Sequence, residues 1–176
     1  VTILHVRYQL AAVLLCAATS VVAFAAGLTA DEGVCPLLDP GLVVKHFPAG
    51  GDNFKVRYRE KPYASCTFTW KSVAKKTISV AGQIIESPGE GRLSVTRAAV
   101  RSAQPDWLRV LNQYGEEDLL EVEGIGERAV WSSRRSQLSV QDAKYLVQVA
   151  VEDPDKPDNL TQNAIAIAVE LLGRTE

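Results

Sequence analysis

Two cysteines, Cys35 and Cys66, limit the folds open to this chain more than any other feature. The third, Cys16, sits in "LAAVLLCAATSVVAFAA", a run that is apolar apart from Thr19 and Ser20 and follows the weakly basic His5 and Arg7. A basic start, an apolar stretch and a small-residue site such as Ala23-Phe24-Ala25 form the pattern of a secretory signal peptide. Residues 1–25 are therefore expected to be removed by cleavage near Ala26, with Leu28-Thr29-Ala30 offering a second site after Ala30. The alternative is an uncleaved anchor, since about 18 apolar residues can just cross a bilayer. Cleavage removes Cys16 and leaves an even pair in an oxidising compartment, which predicts a Cys35–Cys66 disulfide.

Charge narrows the partners. Loss of the leader takes Arg7 with it and leaves 18 basic against 21 acidic side chains, a net charge of −3. Nucleic acid rewards dense basic surface, so it is not an expected partner. Membrane contact is expected only if the N-terminal segment is retained. A start at Val1, with no methionine anywhere, suggests a bacterial non-AUG initiator. Neither Leu14-Leu15-Cys16 nor Gly33-Val34-Cys35 forms a lipobox.

Residues 31–176 read as a single domain. Asp39 is placed to cap a short helix with Pro40 at its first position, and Leu38 and Val43 have the spacing of a hydrophobic staple. Cys66, Phe68 and Trp70 alternate onto one strand face. "TISVAGQII" and "RLSVTRAAV" continue this period, and the breaker-rich "ESPGEG" between them predicts the turn of a hairpin or meander. "QPDWLRVLNQYG" predicts a helix with Trp107, Val110 or Leu111, and Tyr114 on its stripe and Gly115 at its end. "RAVWSS" and "QLSVQDAKYLVQVAV" read as strands, the second with Tyr145, Val147, Val149 and Val151 on one face. A helix from about Asn159 to Leu172 should bury Leu160, Ala164, Ile167, Ala168 and Leu171. This order predicts an α+β fold, a single antiparallel sheet with helices packed on one face and one disulfide.

No motif for chemistry stands out. Gly124-Ile125-Gly126-Glu127-Arg128-Ala129 has the letters of a dinucleotide fingerprint, but "VWSSRRSQLSV" after it is strand-like where that motif needs a helix. Glu116, Glu117, Asp118, Glu121 and Glu123 form an acidic stretch without calcium-loop spacing. His46 is the only histidine after the leader, which leaves no set for zinc or a catalytic triad, and its place suits the end of the first helix. Trp70, Trp107 and Trp131 each fall in a periodic segment and read as core. No cofactor, metal or catalytic residue is expected. Arg134 and Arg135, after Ser132-Ser133, are the candidate contacts to an anionic ligand.

Cys35-Pro36-Leu37-Leu38 before a short helix, Cys66 leading to Trp70, and Gly124-Ile125-Gly126 running to Ala129 and Trp131 are arranged in a familiar way. With the Val-alternating strand and the Ala/Leu-rich terminal helix, they resemble a family of small exported bacterial proteins carrying a domain of unknown function, many of them actinobacterial lipoproteins. This chain has Cys-Thr-Phe-Thr-Trp where that family usually has Cys-Thr-Trp, and it lacks the lipobox. The resemblance implies an α+β fold, a cysteine bridge and an envelope location, and it supplies no catalytic residues. The expected function is an exported, non-catalytic binding domain for a small molecule or an envelope protein. The rivals are an envelope hydrolase working through carboxylates and a protein inhibitor or assembly factor.

Overall fold

In the computed structural model, residues 34–48, 54–115 and 119–173 are described. The expected leader, residues 1–25, lies outside them, as do Glu116, Glu117 and Asp118.

The first helix, α1 (Pro40–His46), begins as its sequence dictates. The Asp39 carboxylate accepts the Gly41 N–H at 2.7 Å, and Pro40 occupies the first turn, where no amide is needed. Leu38 and Val43 are fully buried. Just before this cap, Cys35 is bonded to Cys66 with Cα atoms 5.9 Å apart. The bridge ties α1 to the second strand across 31 residues of sequence.

Seven strands form one sheet: β1 (Lys55–Arg59), β2 (Ala64–Val80), β3 (Gln83–Ala99), β4 (Leu119–Glu121), β5 (Arg128–Ser132), β6 (Gln137–Gln141) and β7 (Tyr145–Glu152). Their spatial order is β1-β2-β3-β7-β6-β5-β4, with every neighbouring pair antiparallel. Helix α2 (Ala103–Tyr114) joins β3 to β4, and α3 (Leu160–Gly173) closes the chain after a 3₁₀ turn at Pro157–Asn159. The architecture is the expected α+β fold with one antiparallel sheet and one disulfide.

The main core lies between one sheet face and the pair α1 and α3. Cys66, Phe68 and Trp70 of β2, Leu93 and Val95 of β3, and Val147, Val149 and Val151 of β7 all point into it. Ala164, Ile167, Ala168 and Leu171 meet them from α3, as the 3.6-residue period requires. The expectation that all helices share this face needs correcting for α2. Trp107, Val110 and Tyr114 pack instead on Val130 and Leu146, which alternate with the main-core residues and so face the opposite side. An apolar patch on the second face of β5 to β7 required a cover, and the amphipathic α2 supplies it.

Two turns differ from the sequence expectation. β2 and β3 are 17 residues each, and they turn at Ala81-Gly82, not at "ESPGEG". Both turn residues have positive φ, 50° and 81°, the backbone of a two-residue hairpin whose twist matches its strands. "ESPGEG" instead runs within β3. Pro88 faces Lys75 just past an irregularity where Ser72, Val73 and Ala74 of β2 stand against Gly89 alone. The run "QLSVQDAKYLVQVAV" divides into β6 and β7, because the Asp142 carboxylate accepts the amides of Lys144 and Tyr145 and so stabilises a tight turn.

Candidate functional site

The β2–β3 hairpin outruns its neighbours. β1 pairs with β2 only as far as Thr69, and β7 pairs with β3 only from Arg92 onward. Residues beyond these points form a two-stranded arm that leaves the sheet. Its end, Thr77 to Ile85, contains no charged side chain. Ile84 is 77% exposed, Val80 52%, Ile85 44% and Ile78 38%. Ile78 and Ile85 are cross-strand partners on one face, while Ile84 lies opposite Ser79 on the other. The tip thus exposes isoleucine on both faces, with Val80 added on the first and Thr77 and Ser79 beside Ile84 on the second.

A bare two-stranded ribbon is marginal in water, and here its base is clamped. Asp155, in the loop after β7, accepts the Ser72 hydroxyl and the Ala74 amide on Oδ1, both at 2.7 Å, and the Val73 amide on Oδ2 at 3.3 Å. Burial alone would raise this carboxyl's pKa, but the Ser72 hydroxyl and the Ala74 and Val73 amides outweigh it and hold the value below the ordinary 3.8. Its neighbour Asp153 is pushed the other way, first by burial and then by the charge of Asp155. Further out, Lys75 pairs with Glu86 at 2.6 Å. Two glycines admit close packing at the arm's root. A Cβ on Gly91 would lie 2.1 Å from the Trp70 ring, and one on Gly89 would lie 2.5 Å from the Ala74 carbonyl.

A second surface lies behind the arm's root, on the face opposite the main core. Because α2 covers only the β5–β7 half, no element among the described residues covers the β1–β3 half there. Lys55, Arg57 and Arg59 face outward along β1, beside Thr69, Thr67 and Ser65 of β2. Arg92, Ser94 and Thr96 continue these rows on β3. The open face holds a recess of about 890 Å³ lined by Lys55, Arg57, Thr67, Thr69 and Arg92, by Glu90 and Glu152, and by Phe54 and Val56.

The residues singled out by sequence fall elsewhere. Arg134 and Arg135 occupy the exposed β5–β6 turn, where the Arg135 guanidinium lies 5.3 Å from the Tyr114 ring centroid. They do not converge with the cations of β1. Glu121 and Glu123 rim a smaller recess of about 540 Å³ beside Trp107 and Ile125. Gly124 and Gly126 have φ of 78° and 61° and form the turn into β5. The Glu127 amide after them donates to the Gln141 carbonyl, so they serve strand entry. His46 ends α1, and its carbonyl accepts the Asn163 side chain of α3 at 3.4 Å. Trp70 and Trp131 lie in the main core and Trp107 in the second cluster. Sequence reasoning missed the arm because its turn was misplaced. The available signal was "TISVAGQII", nine residues without a charge.

Comparison with known protein families, curated proteins and solved structures found no match for this chain. Fold and surface define it as a disulfide-bonded α+β domain with a projecting hairpin. The bridge fits a non-cytoplasmic, oxidising setting. Among the described residues, no helix is long and apolar enough to cross a membrane.

Proposed function

We propose that this chain is an exported, non-catalytic binding domain of the bacterial cell envelope that engages a protein partner through the β2–β3 arm. The arm's apolar, charge-free tip is the observation that carries the reading. Exposed branched side chains on a free strand edge invite aggregation, and edges are ordinarily blunted by charge or proline. Here the arm is stiffened at its base and its tip is left apolar, which suits a surface kept for contact.

The two edges of the arm are not equivalent. Pro88 interrupts the β3 edge, whereas the β2 edge from Lys75 to Val80 carries no proline. In a two-residue hairpin the residues flanking the turn exchange both hydrogen bonds, so the amides and carbonyls of Thr77 and Ser79 turn outward. An extended segment of a partner could pair with them while its side chains meet Ile78 and Val80, the mode of strand addition. A bilayer offers those groups no partner, which favours protein over lipid as the occupant.

A photo-reactive residue at position 84, expressed in the native host, tests this reading. The expected result is a discrete adduct with a second protein, absent when the same residue stands at the exposed Val169 of α3. No adduct at 84, or equal labelling at both positions, contradicts it.

A further inference from the structure

We infer that the open face of β1–β3 is a binding site for a linear phosphate-bearing polyanion laid along β1. This surface lies at the arm's root, and its argument does not depend on the arm having a partner. Lys55, Arg57 and Arg59 occupy successive outward positions of one strand, about 6.6–6.8 Å apart. Neither these three nor Arg92 takes part in a salt bridge with any described residue. In a chain with net charge −2, these four cations outnumber the two carboxylates beside them, Glu90 and Glu152, and make a local positive excess.

The neighbouring columns specify the anion further. Each β1 cation lies beside a hydroxyl residue of β2: Lys55 by Thr69, Arg57 by Thr67 and Arg59 by Ser65. Thr67 Oγ1 and Ser94 Oγ are 3.3 Å apart, and Arg92 Nε donates to that same Ser94 oxygen at 3.3 Å. A phosphate group keeps two or more free oxygens, so one can take a guanidinium while another takes a hydroxyl. A carboxylate uses both of its oxygens in a bidentate arginine pair. Glu90 and Glu152 stand on the β3 and β7 side and repel an anion there, which directs the polymer toward β1. Phe54, the aromatic side chain in the recess lining, is engaged by Phe68 and Trp70 at centroid distances of 6.3 and 5.4 Å, which leaves little ring surface for nucleic-acid bases to stack on.

The test is titration of the intact domain at low ionic strength with two probes, long-chain inorganic polyphosphate and poly(glycerol phosphate). Tighter binding of the first assigns a phosphoanhydride polymer, and tighter binding of the second a phosphodiester. Failure of both overturns the proposal. In Lys55→Gln/Arg57→Gln, affinity should fall at least tenfold and the slope of log K against log salt should flatten by about 1.4–1.8, since each lost contact removes about 0.7–0.9. The exposed Lys45→Gln substitution in α1, on the other side of the sheet, should change neither quantity. Equal loss in both variants would reduce the effect to net charge and overturn the site. Displacement by orthophosphate at equal phosphate concentration would overturn the linear ligand. Because the arm is intact in these variants, cross-linking at position 84 should be unaffected.

Discussion

The Ser72 hydroxyl donates to Asp155 Oδ1 at 2.7 Å across 83 residues of sequence, and this bond anchors the root of the arm to the loop that leads into α3. The same oxygen takes the Ala74 amide, so one carboxylate satisfies the backbone of the β2 irregularity. In Asp155→Asn the Val73 and Ala74 amides should lose protection against hydrogen exchange. An acceleration of about tenfold or more is expected, because hydrogen bonds to charged groups contribute about 1.5–3 kcal/mol.

That effect has a definite pH dependence. The folded pKa of Asp155 lies below its ordinary 3.8. Its stabilisation is therefore complete above the unfolded value and is lost as pH falls through the folded one. Asp106 has the same sign, its pKa lowered first by the Ser102 amide and then by that of Arg101. Asp153 has the opposite sign, because burial raises its pKa and its contribution is lost as pH rises through the folded value. The difference in urea midpoint between parent and Asp155→Asn should thus be present at neutral pH and shrink below pH 3.8. A constant difference across that window would remove the carboxylate from the clamp.

Cys66→Ser should lower stability clearly. Closing the 31-residue separation contributes about 3–4 kcal/mol in the chain-entropy account. The substitution also places a hydroxyl in a main-core position that is 1% exposed. Denaturant unfolding measures the loss, and thiol titration of the unfolded, unreduced parent should find no reactive Cys35 or Cys66.

Gly91→Ala should cost about 1–3 kcal/mol or more, because its Cβ would overlap the Trp70 indole at 2.1 Å and the ring is held by Phe47 and Phe54 at centroid distances of 5.1 and 5.4 Å. The parallel change at Gly82 meets no atom within 4 Å and strains only its φ of 81°. Comparing the two variants by thermal unfolding separates crowding from backbone strain.

The Asp39 cap, the Cys66, Phe68 and Trp70 face, the valine column of β7 and the buried stripe of α3 were legible in the sequence, because each follows from a local period or a short-range hydrogen bond. The hairpin turn was not. "ESPGEG" carries a proline and two glycines, but Gly91 is there to admit the Trp70 ring and Gly89 to admit the Ala74 carbonyl. Ala81-Gly82, the real turn, shows one glycine and an alanine forced to positive φ by the pairing on either side. The side of the sheet taken by α2 depended on Val130 and Leu146, whose outward direction is set by strand pairing between segments distant in sequence. The cation column on β1 was also beyond reach, since Lys55, Arg57 and Arg59 become a surface only once Thr67, Thr69 and Arg92 stand beside them.

The arm as the contact element is the centre of this account, and affinity tests it most directly. With the partner cross-linked at position 84 in hand, binding by the parent is compared with Ile84→Asp/Ile85→Asp. Both residues are exposed, so the thermal midpoint should hold. Burying an isoleucine contributes about 1.5–3 kcal/mol, which predicts at least a tenfold loss of affinity for the pair. Unchanged affinity in a folded variant would contradict the arm as the binding element.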